Sequence, residues 1–179
     1  MTELIAPGTL SASAISRTQI RVNWAVTPKT VVSAAGAGKT LYLWNGSSND
    51  ASPSGWTEVA FDDSAWGAPV AVTGGFTIPV GSTRVWPVNR GTSASPDERA
   101  ILRHTFSLSA GEISSAHLSG FWDDSIVSVW VNGTLLPWTN AREEDLDTSL
   151  FVAGSNVVAF ISKNQTTGWV FMAYKLTFA

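Results

Sequence analysis

The sequence predicts an all-β protein, a sandwich or a barrel. Three observations carry this. Apolar and polar residues alternate with period two in several runs. Turn signals separate those runs, at Asn45-Gly46, Gly74-Gly75, Asn132-Gly133 and Gly154-Ser155-Asn156. Helical periodicity is scarce. Short strands at spacings of about 8–15 residues with almost no helix make a sandwich or barrel.

The strands follow in order. Ile20, Val22, Trp24 and Val26 alternate with Arg21, Asn23 and Ala25. Leu102, His104, Phe106 and Leu108 alternate with Arg103, Thr105 and Ser107. Each pattern puts one set of side chains on a core face and the other toward water. The runs Ile126 to Val131 and Val157 to Ile161 are apolar on both faces and predict central strands. In the last run Val170, Met172, Tyr174, Leu176 and Phe178 share one face. Trp169, Phe171, Ala173, Lys175 and Thr177 share the other. Asn132-Gly133 predicts a type I′ hairpin turn, which needs positive φ at both central residues. Asn140 to Leu150 predicts a loop with at most one helical turn. Residues 27–40 are small and lightly charged and predict a connector. Residues 87–99 form the longest polar loop, a candidate functional segment.

Composition narrows the function classes. The 179 residues fit one domain, large enough to bury roughly 70% of the unfolded surface. Charged residues are 14% of the chain, against about 25% in ordinary soluble domains. Nine Trp and eight Phe exclude a disordered chain. A net charge of −3 leaves no electrostatic footprint for nucleic acid. The absence of Cys excludes disulfides, thiolate metal sites and Cys nucleophiles. No apolar stretch is long enough for a membrane span. The residues after Met1 lack a basic flank and apolar run, so no export signal is expected.

An ordered set of motifs runs through the body of the chain. It opens with Trp56 and Phe61-Asp62-Asp63-Ser64-Ala65-Trp66. The strand Leu102 to Leu108, Ala116-His117-Leu118 and Phe121-Trp122-Asp123-Asp124 follow. Val127 to Gly133, Asp147 to Phe151, Gly154 to Ala159 and Gly168-Trp169 to Leu176 complete it. This order resembles the galactose-binding-like jelly-roll. That family includes sugar-binding modules beside beta-galactosidase- and rhamnosidase-type catalytic domains, and virion and tail proteins of bacteriophages. The resemblance implies a jelly-roll β-sandwich over residues 41–179, preceded by an N-terminal arm and connector over 1–40. Pro7-Gly8-Thr9-Leu10-Ser11-Ala12 with Ile15, Thr18, Gln19, Ile20 and Trp24 is similar to the first two strands of a fibronectin type III domain. Without the remaining strands of that fold, the segment is expected as a β-hairpin arm.

Several motifs read as structural. Gly36-Ala37-Gly38-Lys39-Thr40 looks like a phosphate loop, but position 33 is Ser where a P-loop needs Gly. His104 lies on the apolar face of its strand and reads as a core histidine. His117 shares no metal-ligand spacing with it. Asp62-Asp63 with Ser64 reads as turn capping. Neighbouring carboxylates on a strand point to opposite faces, so Asp123-Asp124 does not make a glycosidase pair. The resemblance implies a structural Ca²⁺ as the one cofactor to consider, with Glu143, Glu144, Asp145 and Asp147 as weak candidate ligands. Asn45, Asn132 and Asn164 head glycosylation tripeptides, which carry no meaning without secretion.

Tryptophan carries the binding expectation. Trp24, Trp66 and Trp130 sit in apolar patterns and read as core. Trp44, Trp86, Trp122 and Trp138 sit beside polar or turn residues, so some are expected to be partly exposed. An exposed indole stacks on a sugar or anchors a protein interface. With Arg90, Asp123 and Asn140 they form the candidate set for a glycan or a protein partner.

The expected protein is not an enzyme. The resemblance points to a bacteriophage virion surface protein, a capsid decoration or a head or tail accessory, that also grips host glycans. The alternative is a carbohydrate-binding module, alone or beside a glycoside hydrolase. Expected partners are other virion or assembly subunits, in a homo-oligomer with a trimer favoured, and a glycan. Neither nucleic acid nor membrane is expected. The expected location is the virion, assembled in the host cytoplasm, or outside the cell for an enzyme-associated module.

Overall fold

Two antiparallel sheets stack face to face in the computed structural model, which describes residues 9–16, 19–25, 27–44, 52–89, 93–138 and 142–179, with backbone only for 9–16, 19–25 and Trp44. The strands are β1 (Thr9–Ser16), β2 (Gln19–Ala25), β3 (Lys29–Val32), β4 (Lys39–Trp44), β5 (Val70–Ala71), β6 (Val85–Trp86) and β7 (Arg99–Leu108). They continue with β8 (Ala116–Asp123), β9 (Ser125–Val131), β10 (Thr134–Leu135), β11 (Glu143–Asp145), β12 (Gly154–Lys163) and β13 (Phe171–Phe178). One sheet has the order β10-β9-β12-β7-β4. The other has β11-β8-β13-β6-β5, with β3 also on β13. The sheets do not close into a barrel, so the fold is a β-sandwich. β1 and β2 form a hairpin sheet of their own, in register from Thr9 opposite Ala25.

The core lies between the sheets. β12 is the middle strand of its sheet, and Val157, Val158, Ala159 and Phe160 are all buried, as its unbroken apolar run predicts. From the other sheet Met172, Tyr174, Leu176 and Phe178 face it, with Leu118 and Trp122 beside them. His104 belongs to this interior. Its Nδ1 lies 2.5 Å from the Tyr174 hydroxyl, and burial holds the imidazole pKa below its ordinary value.

Three expectations change. β9 is covered on both faces only in part: Val129 and Val131 face the core and Trp130 packs against Trp56 on the outer face, but Val127 is exposed and the lateral neighbour is the two-residue β10. Residues 27–40 do more than connect. Lys29–Val32 pairs with β13, and Lys39 already belongs to β4. Composition hid β3 because an edge strand of this length buries little; Val31 alone of its four residues is buried. Glu143–Asp145 is an edge strand on β8, whose backbone pairing tolerates an acidic sequence facing water. One 3₁₀ turn follows at Thr148–Leu150.

Turn chemistry explains the connections. Asn132 and Gly133 have φ of 46° and 82°, and β9 runs through them into β10 with Val131 opposite Thr134. The Gly36-to-Thr40 stretch is the tight entry to β4. At Gly38, φ is +80° and an added Cβ would stand 2.4 Å from the Arg103 carbonyl oxygen. No phosphate cradle with a following helix is built there.

A third layer covers the outer face of the first sheet. Trp56, Phe61 and Trp66, from the motif segment 53–66, pack on Leu43, Ile101, Ala159 and Trp130. Arg103 pins this layer from below, donating to the carbonyls of Trp56 (3.1 Å) and Glu58 (2.6 Å) and pairing with Asp63. Asp62 accepts from the Ser64 N–H at 2.9 Å, the turn capping its sequence predicts.

Candidate functional site

The outer face of the second sheet carries the candidate site. Register places Glu143 of β11 beside Ser119 of β8, and Ser119 beside Lys175 of β13. These three point outward, because Leu118 and Leu176, one residue along, point into the core. An acid, a hydroxyl and an ammonium thus form a row across three strands, its ends about 10 Å apart by strand spacing. Two residue pairs further along β8 and β13, Phe121 lies outward opposite Ala173.

Aromatic rings and guanidinium groups build the wall beside this row. Phe121 stacks on Phe171 with centroids 5.6 Å apart, and Phe76 lies against both at 5.4 and 6.1 Å. Arg84 covers Phe171, with its Cζ 5.5 Å from the ring centre, and donates to the Phe76 carbonyl. Arg142 covers Phe121 more closely, at 4.0 Å. Its carbonyl accepts from the Gly120 N–H at 2.7 Å, which fixes where the Arg142 backbone leaves the sheet edge. Gly120 is required on the core side of β8, because an added Cβ would meet the Trp122 ring at 2.2 Å. Thr77-Ile78-Pro79-Val80 forms the opposite wall. The result is an open groove of about 450 Å³.

Donors and acceptors of both kinds face this groove. Arg142 and Lys175 supply cationic donors, Glu143 an acceptor, and Ser119 and Thr77 hydroxyls that serve as either. Among the described residues neither Arg142 nor Lys175 has a carboxylate partner. Glu143 leans toward His117, with its Oε2 3.8 Å from Nε2, and His117 Nδ1 lies 2.6 Å from Asp145.

The residues singled out from sequence are distributed differently. Trp86 is 1% exposed and Trp122 is 4% exposed, so neither presents a ring face. Trp86 packs edge-on to Tyr42, and Trp122 lies between Trp138 and Phe160. Asp123 beside Trp122 ends its strand, and Pro87 follows Trp86 at the end of a strand whose two residues are both buried, so adjacency to a polar or turn residue misled. Trp138 is half-buried against the core. The Trp44 side chain, Arg90 and Asn140 lie outside the described residues. Asp123 ends β8 half-buried. Burial, reinforced by the adjacent Asp124 carboxyl, pushes its pKa up to about 6. The Asp124 carboxylate accepts from the Gln165 and Thr166 N–H groups at 2.8 and 3.1 Å. That ties down a loop. The Asp123 and Asp124 side chains also hydrogen-bond to each other, so the two carboxyls do not point to opposite faces as the strand pattern predicts.

The Ca²⁺ candidates do not converge. Glu143 lines the groove, Glu144 sits opposite Leu118, and Asp145 holds His117. Asp147 caps the turn at 148–150 by accepting from the Ser149 N–H, which lowers its pKa. Among the described residues no group of three or more His, Asp or Glu side chains is placed to hold a metal. Asn132 and Asn164 use their side chains in internal hydrogen bonds.

Sequence reasoning missed Arg142, Lys175, Ser119 and the 77–80 wall. One signal was present. The alternation of the last strand already put Phe171, Ala173 and Lys175 on one face, and of these Lys175 lines the groove.

No protein-family model matches the chain, and no curated protein matches it. Among solved structures it is similar to a beta-glycosidase from Bacteroides vulgatus, with a TM-score of 0.46 and 15% identity over 82% of this chain and 20% of that one. The chain therefore spans about a fifth of that enzyme's length.

Proposed function

We propose that the protein is a non-catalytic glycan-binding β-sandwich that holds its ligand in the groove over the second sheet. The observation that carries this reading is the Glu143–Ser119–Lys175 row beside the Arg142-capped Phe121. A sugar ring offers hydroxyls that both donate and accept, and C–H groups that pack on apolar walls. A groove with an acid, hydroxyls and cations beside Phe121 and the apolar Ile78-Pro79-Val80 wall complements both. Glu143 is the one carboxylate among the described lining residues. Hydrolysis of a glycosidic bond ordinarily uses a facing pair, so the groove supports binding rather than cleavage.

The test is a glycan array with the purified chain, followed by titration calorimetry on each hit. Saturable binding that weakens at least tenfold in Lys175→Ala and Ser119→Ala is the expected result. A folded protein that binds no glycan, or binds equally well in both variants, overturns the proposal.

A second reading is a structural subunit of a bacteriophage virion, and the β1–β2 hairpin favours it. A two-stranded sheet is marginal alone, and such an arm is suited to adding its strands to a neighbouring subunit. Light scattering of the chain with and without residues 1–26 tests this. A stable homo-oligomer that dissociates on truncation supports it, and a monomer in both forms removes it.

A further inference from the structure

We infer that the groove selects an acidic glycan, gripping the carboxylate of a hexuronate sugar between Arg142 and Lys175. This rests on the glycan-binding reading above and goes beyond it to the class of sugar.

Charge is the first argument. The chain carries a net charge of −3, yet two cations and one carboxylate line the groove. Glu143 is turned toward His117, with its Oε2 3.8 Å from Nε2. Elsewhere on this outer face Asp145 and His117 are held to each other at 2.6 Å, and Arg84 covers Phe171 and donates to the Phe76 carbonyl. Within the groove lining cations thus outnumber carboxylates two to one, a local positive site on a negative molecule.

Geometry is the second argument. The Arg142 guanidinium lies on the Phe121 ring, 4.0 Å from its centre. This cation–π contact restrains where the guanidinium sits, and a guanidinium carries its N–H donors in one plane. A planar fork of donors matches a carboxylate in a bidentate fashion. The Gly120–Arg142 backbone hydrogen bond of 2.7 Å anchors the residue at its root, so less freedom is lost on binding. Lys175 supplies a second cation from the floor. Ser119 beside it is suited to a ring hydroxyl of the same sugar.

The experiment compares one sugar backbone with and without its charge. Calorimetry is run with oligogalacturonate, its fully methyl-esterified form and a neutral cello-oligosaccharide, and affinity gels contain alginate and hyaluronan. Expected is binding to at least one acidic glycan, at least tenfold weaker for the ester where galacturonate is the ligand. The affinity falls with added salt, and Arg142→Gln and Lys175→Gln each weaken it tenfold or more. Both side chains reach water, so the variants should fold, and the ester comparison does not depend on them. Equal binding of ester and acid, or binding of the neutral oligosaccharide alone, overturns the acidic assignment and leaves glycan binding standing. Binding of no acidic glycan here and none on the array overturns both.

Discussion

Replacing Arg103 with Met tests what holds the third layer on the sandwich. Arg103 is 2% exposed. Its guanidinium donates to the carbonyls of Trp56 at 3.1 Å, Glu58 at 2.6 Å and Val59 at 3.3 Å, to the Thr105 hydroxyl at 3.0 Å, and to Asp63. Three of these acceptors are carbonyls of one loop, so a single side chain sets the path of residues 56–59. Met keeps the apolar stem and removes every donor, leaving the carbonyls and the Asp63 carboxylate without that partner. Breaking a buried charged network of this kind costs about 3–5 kcal/mol. For a domain of this size that lowers Tm by roughly 6–20 °C. Asp63→Asn should cost less, about 1–2 kcal/mol, because Arg103 keeps its carbonyls. Urea unfolding followed by Trp fluorescence gives the free energies, and limited proteolysis shows where the chain opens. The expected first cut lies within 53–66, with ligand binding at the opposite sheet unchanged. A cost for Arg103→Met under about 1 kcal/mol, or a loop that stays protected, would refute the reasoning.

Two further predictions concern the frame. Asn156 accepts from the Val152 N–H and the Asn132 side chain at 2.9 and 2.8 Å, and donates to the Val152 and Gly154 carbonyls at 2.8 and 3.0 Å. Asn156→Ala strands these groups in the interior and should cost about 2–4 kcal/mol in urea unfolding; a loss below half that contradicts the staple. Asp123 has a folded pKa raised to about 6 by burial and then by Asp124. The folded state therefore holds the proton more tightly than the unfolded one, and stability falls as pH rises from about 4 through 6. Asp123→Asn should match the parent near pH 4 and exceed it by about 1 kcal/mol at pH 8, a figure discounted for partial solvent access. A difference in Tm between the two proteins that stays flat from pH 4 to 8 rules this out.

The sequence by itself determined the elements whose causes are local. Alternation marked β7 and β13, an unbroken apolar run marked β12, and Asn132-Gly133 specified its turn because few residue pairs tolerate positive φ twice. His104 was legible as a core residue from the face it shares with Leu102 and Phe106. Asp62 and Ser64 were legible as a capped turn because donor and acceptor are two residues apart. Tertiary structure decided what depends on distant segments. Period-two patterning sorts residues onto two faces without saying what covers each face. Thus Trp56, Phe61 and Trp66 became a third layer, and Trp86 and Trp122 went inside despite polar neighbours. Beyond the face assigned to Lys175 the groove was not legible, since its groups come from positions 77–80, 119–121, 142–143 and 175. Glu143, Ser119 and Lys175 form one row only because non-local backbone pairing puts β11, β8 and β13 in that register, and side chains alone do not encode a register across three strands.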